Sequence, residues 1–193
     1  MSVSWGAVRR PKQGQAVSGD VFLVEPFDPH GLHIAVIDGL GGGHEAARAA
    51  EASAQVIRNH LAVDPLDLIR QSHTALHSTR GAVIGILTLN LLQRSVTYVG
   101  VGNIGVQVYS SQAIKPISKN GILGYRLPQL LKLTYTYNFG DTFVVYSDGI
   151  SSRFALDTQI HQGQPPQELA DLILERYGKL SDDATVVVVR VDE

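Results

Sequence analysis

Apolar residues in this chain recur as short runs, many of them β-branched and closed by Gly, Asn or Asp. Such runs read as strands. They are "VFLVE" (21–25), "LHIAVI" (32–37), "AVIGILTLN" (82–90), "SVTYVG" (95–100), "IGVQVY" (104–109), "LKLTYTYNF" (131–139), "DTFVVYS" (141–147) and "ATVVVVRV" (184–191). Between the third and fourth runs, "NLLQRS" (90–95) is short and polar at its tip, which predicts a hairpin turn between antiparallel strands.

Helical spacing takes over in three places. Over 45–61, Ala46, Ala50, Ala54, Ile57 and Leu61 fall on one face while Arg48, Gln55 and Arg58 fall elsewhere, and the small alanines allow close packing on a sheet. A second helix is expected to start at Asp64-Pro65, an N-cap followed by proline at the first helical position, and to stop near Gly81. A third is expected over Pro166–Tyr177, with Leu169, Leu172 and Ile173 inward and Gly178 at its end. A shorter helix is expected after Asp148. This order does not alternate as a parallel βαβ sheet requires. The expected fold is α+β: an antiparallel β-sandwich flanked by helices, with residues 1–193 as one domain and no large flap subdomain.

Composition narrows the function. With 44% hydrophobic and 18% charged residues the chain is ordinary for a globular protein, and a formal net charge of −2 gives no reason to expect nucleic-acid binding. No apolar run approaches a membrane span, and the first residues lack the apolar block of a signal peptide, so a cytoplasmic location is expected. There are no cysteines, which leaves oxygen and imidazole as the only strong metal ligands.

The stretch "HIAVIDGLGGGHEAARAA" (33–50) poses the chemical question. Gly41, Gly43 and Ala46 follow a strand in G-x-G-x-x-A spacing and precede a helix, as in a dinucleotide-binding loop. Against that reading, Asp64 is badly placed to meet a ribose, the alternating strands and helices are missing, and Asp38 sets a carboxylate beside the loop. Acidic residues also recur at strand ends: "SGD" (18–20), "IDGLGG" (37–42), "YSDG" (146–149) and "SDDAT" (181–185). Any one Asp-Gly pair is more often an ordinary turn. Several carboxylates gathered on one rim, however, need a compensating cation, and an all-oxygen set suits Mg²⁺ or Mn²⁺.

The ordered series "SGD … DGLGGG … GVGN … SDG … DDAT" resembles the metal-dependent serine/threonine protein phosphatase (PPM) family, in particular its compact bacterial branch of SpoIIE-like and RsbU-like members. The resemblance runs from about Ser18 to Val191. It implies a centre of two Mn²⁺ or Mg²⁺ ions in which Asp38 bridges both, Asp20 and the Gly39 carbonyl serve one, and Asp148 and Asp182 serve the other. Asp38, Asp148 and Asp182 are then the catalytic aspartates, and Asp183 supports Asp182. Two such ions activate a shared water for in-line attack on phosphorus, with no covalent phosphoenzyme.

The short chain, ending one strand after "DDAT" without a sensor domain, is most similar to members acting on phosphorylated STAS-domain proteins of the stressosome in the bacterial stress response. Those proteins are the expected partners, with no nucleic acid and no membrane. Gly42 stands where relatives commonly carry histidine, and His44 is the nearest replacement. Gln15 lies near the place of a phosphate-gripping arginine in larger relatives, so affinity is expected to come from protein docking, with Lys115, Lys119 and Arg126 as candidates. A catalytically silent phosphoprotein-binding adaptor of the same fold is the rival reading.

Overall fold

The computed structural model describes residues 2–160 and 163–193. In chain order the elements are β1 (Ser2–Arg10), β2 (Asp20–Phe27), β3 (Gly31–Gly39), α1 (Gly43–Asn59), α2 (Pro65–Ala75), β4 (Ala82–Asn90), β5 (Ser95–Val101), β6 (Gly105–Tyr109), β7 (Leu133–Thr136), β8 (Thr142–Tyr146), a 3-10 turn (Ser152–Leu156), α3 (Pro166–Tyr177) and β9 (Ala184–Asp192). The strands form two antiparallel sheets, β1-β9-β8-β6 and β2-β3-β4-β5-β7. Helices α1 and α2 cover the outside of the second sheet and α3 covers the outside of the first. This is the expected helix-flanked sandwich.

The two-residue period of a strand explains the layering. On β3, Ala35 and Ile37 face the helices while Ile34 and Val36 face the other sheet. On β9, Val186 and Val188 meet α3 while Val187, Val189 and Val191 meet the second sheet. Central strands are thus apolar on both sides, which is why they read as unbroken runs. Ala46, Ala49, Ala50 and Ala54 of α1 are all fully buried, as the small-residue face implied. Asp64 caps α2, its carboxylate accepting the Leu66 N–H at 2.9 Å, with Pro65 opening the helix.

Four differences from the sequence reading have local causes. β1 was not expected; it is an edge strand carrying Ser2, Ser4, Arg9 and Arg10 among its apolar residues, yet it pairs with β9 from Ser2↔Asp192 to Arg10↔Ala184. α2 stops at Ala75 rather than near Gly81, because the Thr79 hydroxyl donates to Leu76 O and accepts from Gly81 N, closing a turn. β7 spans only 133–136, since Tyr137 leaves the ladder to pack edge-on against Phe143 in the core. The helix expected after Asp148 is a 3-10 turn, begun by a Ser151 side-chain cap.

α3 lies against β1 with almost no gap at Gly6, where a Cβ would sit 2.3 Å from the Gln167 backbone. The Gln167 amide bonds both the N–H and the C=O of Ala7 at 3.1 Å. Gly6→Ala is therefore expected to push the helix off the sheet and cost about 1–3 kcal/mol, read as a lower urea midpoint.

Candidate metal centre

Strand register sets the carboxylates in place. Asp20 opens β2 and Asp38 nearly closes β3, and the two are directly opposite in the antiparallel ladder. Both lie on the face turned toward the other sheet, by alternation from Phe22 and Val36. Like charges directly opposite are unfavourable in a sheet. From the facing sheet, the turn after β8 brings Asp148 and the residues before β9 bring Asp182.

Asp38, Asp148 and Asp182 line a cavity of about 560 Å³ open to solvent at the sandwich rim. Asp20 and Gly39 lie behind this wall, buried. Among the described residues no three His, Asp or Glu side chains close on one point as a finished ligand cage. The structure places the expected aspartates around one rim, three on the wall and one behind it.

Hydrogen bonds across the sandwich hold the rear of the site. Ser147 Oγ donates to Asp20 Oδ2 at 2.7 Å and accepts the Thr185 N–H at 3.0 Å. The other oxygen of Asp20, Oδ1, is buried without a hydrogen-bond partner. Gly39 is pressed beneath α1, where a Cβ would fall 2.0 Å from Ala46 O, so the backbone of the Asp-Gly corner is fixed from behind.

Asp183 does more than support Asp182. Its N–H donates to Asp182 Oδ1 at 3.0 Å, but its carboxylate accepts the Lys12 N–H at 3.0 Å and the Gly19 N–H at 2.9 Å. It ties the connection between β1 and β2 to the start of β9. Asn103 is the neighbour that sequence reasoning left without a role. Its Nδ2 donates to Asp148 Oδ2 at 2.7 Å, and the only sequence signal for it was the "GVGN" turn. Lys179 Nζ donates to the Asp148 carbonyl.

Electrostatics follow from this crowding. Burial, then Asp20, Asp148, Asp182 and Asp183 in turn, push the Asp38 carboxyl up to about 8. Burial raises Asp20 to about 6, opposed by the Ser147 hydrogen bond and reinforced by Asp183 and Asp148. Asp148 is raised by burial and by Asp182, against the pull of Lys179 and Asn103.

An orphaned buried carboxylate oxygen beside carboxyls held above their ordinary range is what a cation would relieve. The donor set is all oxygen and fits a hard divalent ion. Other expected residues lie elsewhere. His44 is exposed on the first turn of α1, and no histidine lines the cavity among the described residues. The place of a side chain at Gly42 is filled by Lys12 Nζ and the Gln15 amide, 3.0–3.2 Å from where its Cβ would be. Gln15 is thus beside the glycine loop and outside the cavity wall. Of the docking candidates only Arg126 lines the cavity.

Comparison with known proteins places this geometry among relatives. The model of the stage II sporulation protein E (SpoIIE) family matches residues 28–192. The phosphoserine phosphatase RsbX of Bacillus subtilis (strain 168) is 28% identical over 179 residues, covering 92% of this chain and 89% of that protein. A solved structure described as "The bacterial stressosome: a modular system that has been adapted to control secondary messenger signaling" aligns with a TM-score of 0.90 and 34% identity, covering 98% of this chain and 100% of the other. The crystal structure of RsbX in complex with magnesium aligns with a TM-score of 0.88 and 26% identity, covering 98% and 96%.

The raised Asp38 carboxyl has a consequence for stability. The folded group keeps its proton up to about pH 8, whereas the unfolded one loses it near 3.8. Folding takes up a proton between those values, so this group's contribution is full below the lower value and is lost as pH rises through the upper one. With chelator present, Asp38→Asn is expected to be more stable than the parent at pH 8, by about 1–3 kcal/mol. The gap should shrink toward pH 4 in urea titrations run at both values. Adding Mg²⁺ should stabilise the parent more than the variant.

Proposed function

The chain belongs to the SpoIIE family of PPM-type serine/threonine phosphatases, and from that premise we propose that it is a metal-dependent phosphoserine/phosphothreonine protein phosphatase acting on phosphorylated STAS-domain proteins of a stressosome. In this reading residues 1–193 form one phosphatase domain working in the cytoplasm on stress-response feedback. The observation that carries it is the gathering of Asp38, Asp148 and Asp182 on one cavity wall, with Asp20 opposite Asp38 in register. Similarity to RsbX, a phosphoserine phosphatase, supports the reaction class, and the stressosome structure supports the setting.

Asp20, Asp38, the Gly39 carbonyl, Asp148 and Asp182 would hold two Mn²⁺ or Mg²⁺ ions. When bound, the ions supply an activated water and offset charge on the phosphoryl oxygens. The chain's residues do the positioning. Asp20 is anchored through Ser147 to the opposite sheet, so the two sheets share one fixed corner. Asn103 sets the rotation of the Asp148 carboxylate, and Lys179 fixes the backbone beneath it. The wall carries no histidine among the described residues to protonate the leaving alkoxide. That missing histidine is also the one observation in favour of the silent adaptor.

Phosphate release from a phosphoserine STAS-domain protein, followed with Mn²⁺, Mg²⁺ and chelator in parallel, decides between the two. The phosphatase reading expects chelator-sensitive release that falls at least about 100-fold in Asp148→Asn and about 10-fold in Asn103→Ala, the usual cost of losing an outer ligand partner. Metal binding with no release under any condition would favour the adaptor.

A further inference from the structure

The carboxylates account for one side of the cavity. Leu40, Val83, Ile122 and Tyr125 add apolar surface to the same cavity, and Arg126 is its cation among the described lining residues. A phosphoryl group needs charge and hydrogen-bond donors, and it gains nothing from such a wall. A cavity of about 560 Å³ also has room for more than a phosphoryl group.

The wall is built rigidly although residues 110–132 contain no helix or extended strand. Leu123 bonds the backbone of Ala82 both ways, at 2.9 and 3.2 Å, and so continues the second sheet beside β4. The N–H groups of Tyr125 and Arg126 donate to Ile122 O at 3.2 and 2.9 Å, closing a tight turn. Gly124 N donates to His73 Nδ1 of α2 at 3.0 Å, and Leu123 is fully buried beneath. At the tip of this clamped turn, Tyr125 is 81% exposed. An exposed aromatic on a fixed backbone carries contact area at little ordering cost, which is the usual character of a binding hot spot.

We infer that the turn 122–126, led by Tyr125, is the recognition wall for the polypeptide around the phosphorylated residue. It takes a phosphoserine segment whose neighbouring residue is apolar. The inference rests on the phosphatase reading for the occupant's phosphate. Its geometry comes from the continuity of the apolar wall with the carboxylate wall in one cavity. With the phosphoryl group directed at the carboxylate side, the adjoining side chain meets Tyr125, Ile122 and Leu40. Arg126 favours the anionic segment over a neutral one.

Two phosphoserine peptides, with leucine or with aspartate flanking the phosphoserine, test this beside the small ester p-nitrophenyl phosphate in Mn²⁺. The parent should prefer the leucine peptide about tenfold in KM. Tyr125→Ala should erase that preference in KM, and Tyr125→Phe should keep it. The same peptides bearing a non-hydrolysable phosphonate, followed by fluorescence anisotropy, read binding without turnover. Equal affinity for both peptides, or an unchanged KM in Tyr125→Ala, overturns the inference and leaves the phosphatase standing. Leucine-selective, Tyr125-dependent binding with no hydrolysis of any ester upholds the wall and overturns the phosphatase reading instead.

Discussion

Mutual repulsion among carboxylates is the constraint around which this molecule is arranged. A sheet that sets Asp20 directly across from Asp38 accepts an unfavourable pair at its edge, and Asp148 and Asp182 add to it from the facing sheet. The few hydrogen bonds at the rim do not by themselves hold such a group together. It is held because the strands behind it are committed to their register by apolar residues on both faces. A slip of one residue in β3 would turn Ile34 and Val36 out of the inter-sheet core. The valines of β9 and the alanines of α1 thus fix the charged rim indirectly, by making every alternative register worse.

The polar contacts around the rim divide into two kinds. Ser147 with Asp20, and Asp183 with Lys12 and Gly19, span the sandwich and lock its halves where the charges meet. Asn103 on Asp148 acts on a single carboxylate and sets its orientation. The first kind resists the spreading that like charges drive, and the second selects one rotamer from those the space permits. Burial raises Asp38 and Asp20 strongly because these contacts hold the groups close while giving Asp38 little to bond with.

Much of the scaffold was legible in the sequence because burial on both faces leaves continuous apolar runs. β1 escaped notice for the opposite reason, as an edge strand alternating with Ser and Arg that owes its existence to β9. The aspartates could be picked out by their places at strand ends and by the order of their motifs. Their surroundings could not, because the partners are remote: Ser147 is 127 residues from Asp20, and Asn103 is 45 from Asp148. Asp183 shows the limit well. The resemblance made it a helper for Asp182; its N–H bonds Asp182, and its carboxylate also serves the connection between β1 and β2. Gln15 and Gly42 also gain meaning only in space, where the amide takes the room a side chain at 42 would need.

The two sides of the cavity have different structural origins, and that difference separates their tasks. The carboxylate side comes from strand ends, whose positions follow from core packing and tolerate little change. Ile122 and Tyr125 of the apolar lining come from residues 120–126, which lie in a segment of no regular periodicity and touch the sheet through Leu123 and the backbone of Ala82. Side chains such as Tyr125 can change there without disturbing the core, because the turn is clamped by main-chain bonds and by His73 rather than by the tyrosine itself. A scaffold built this way keeps its charge-bearing corner constant while the facing wall is open to variation. On the proposed reading, chemistry belongs to the sheets and selectivity to the turn.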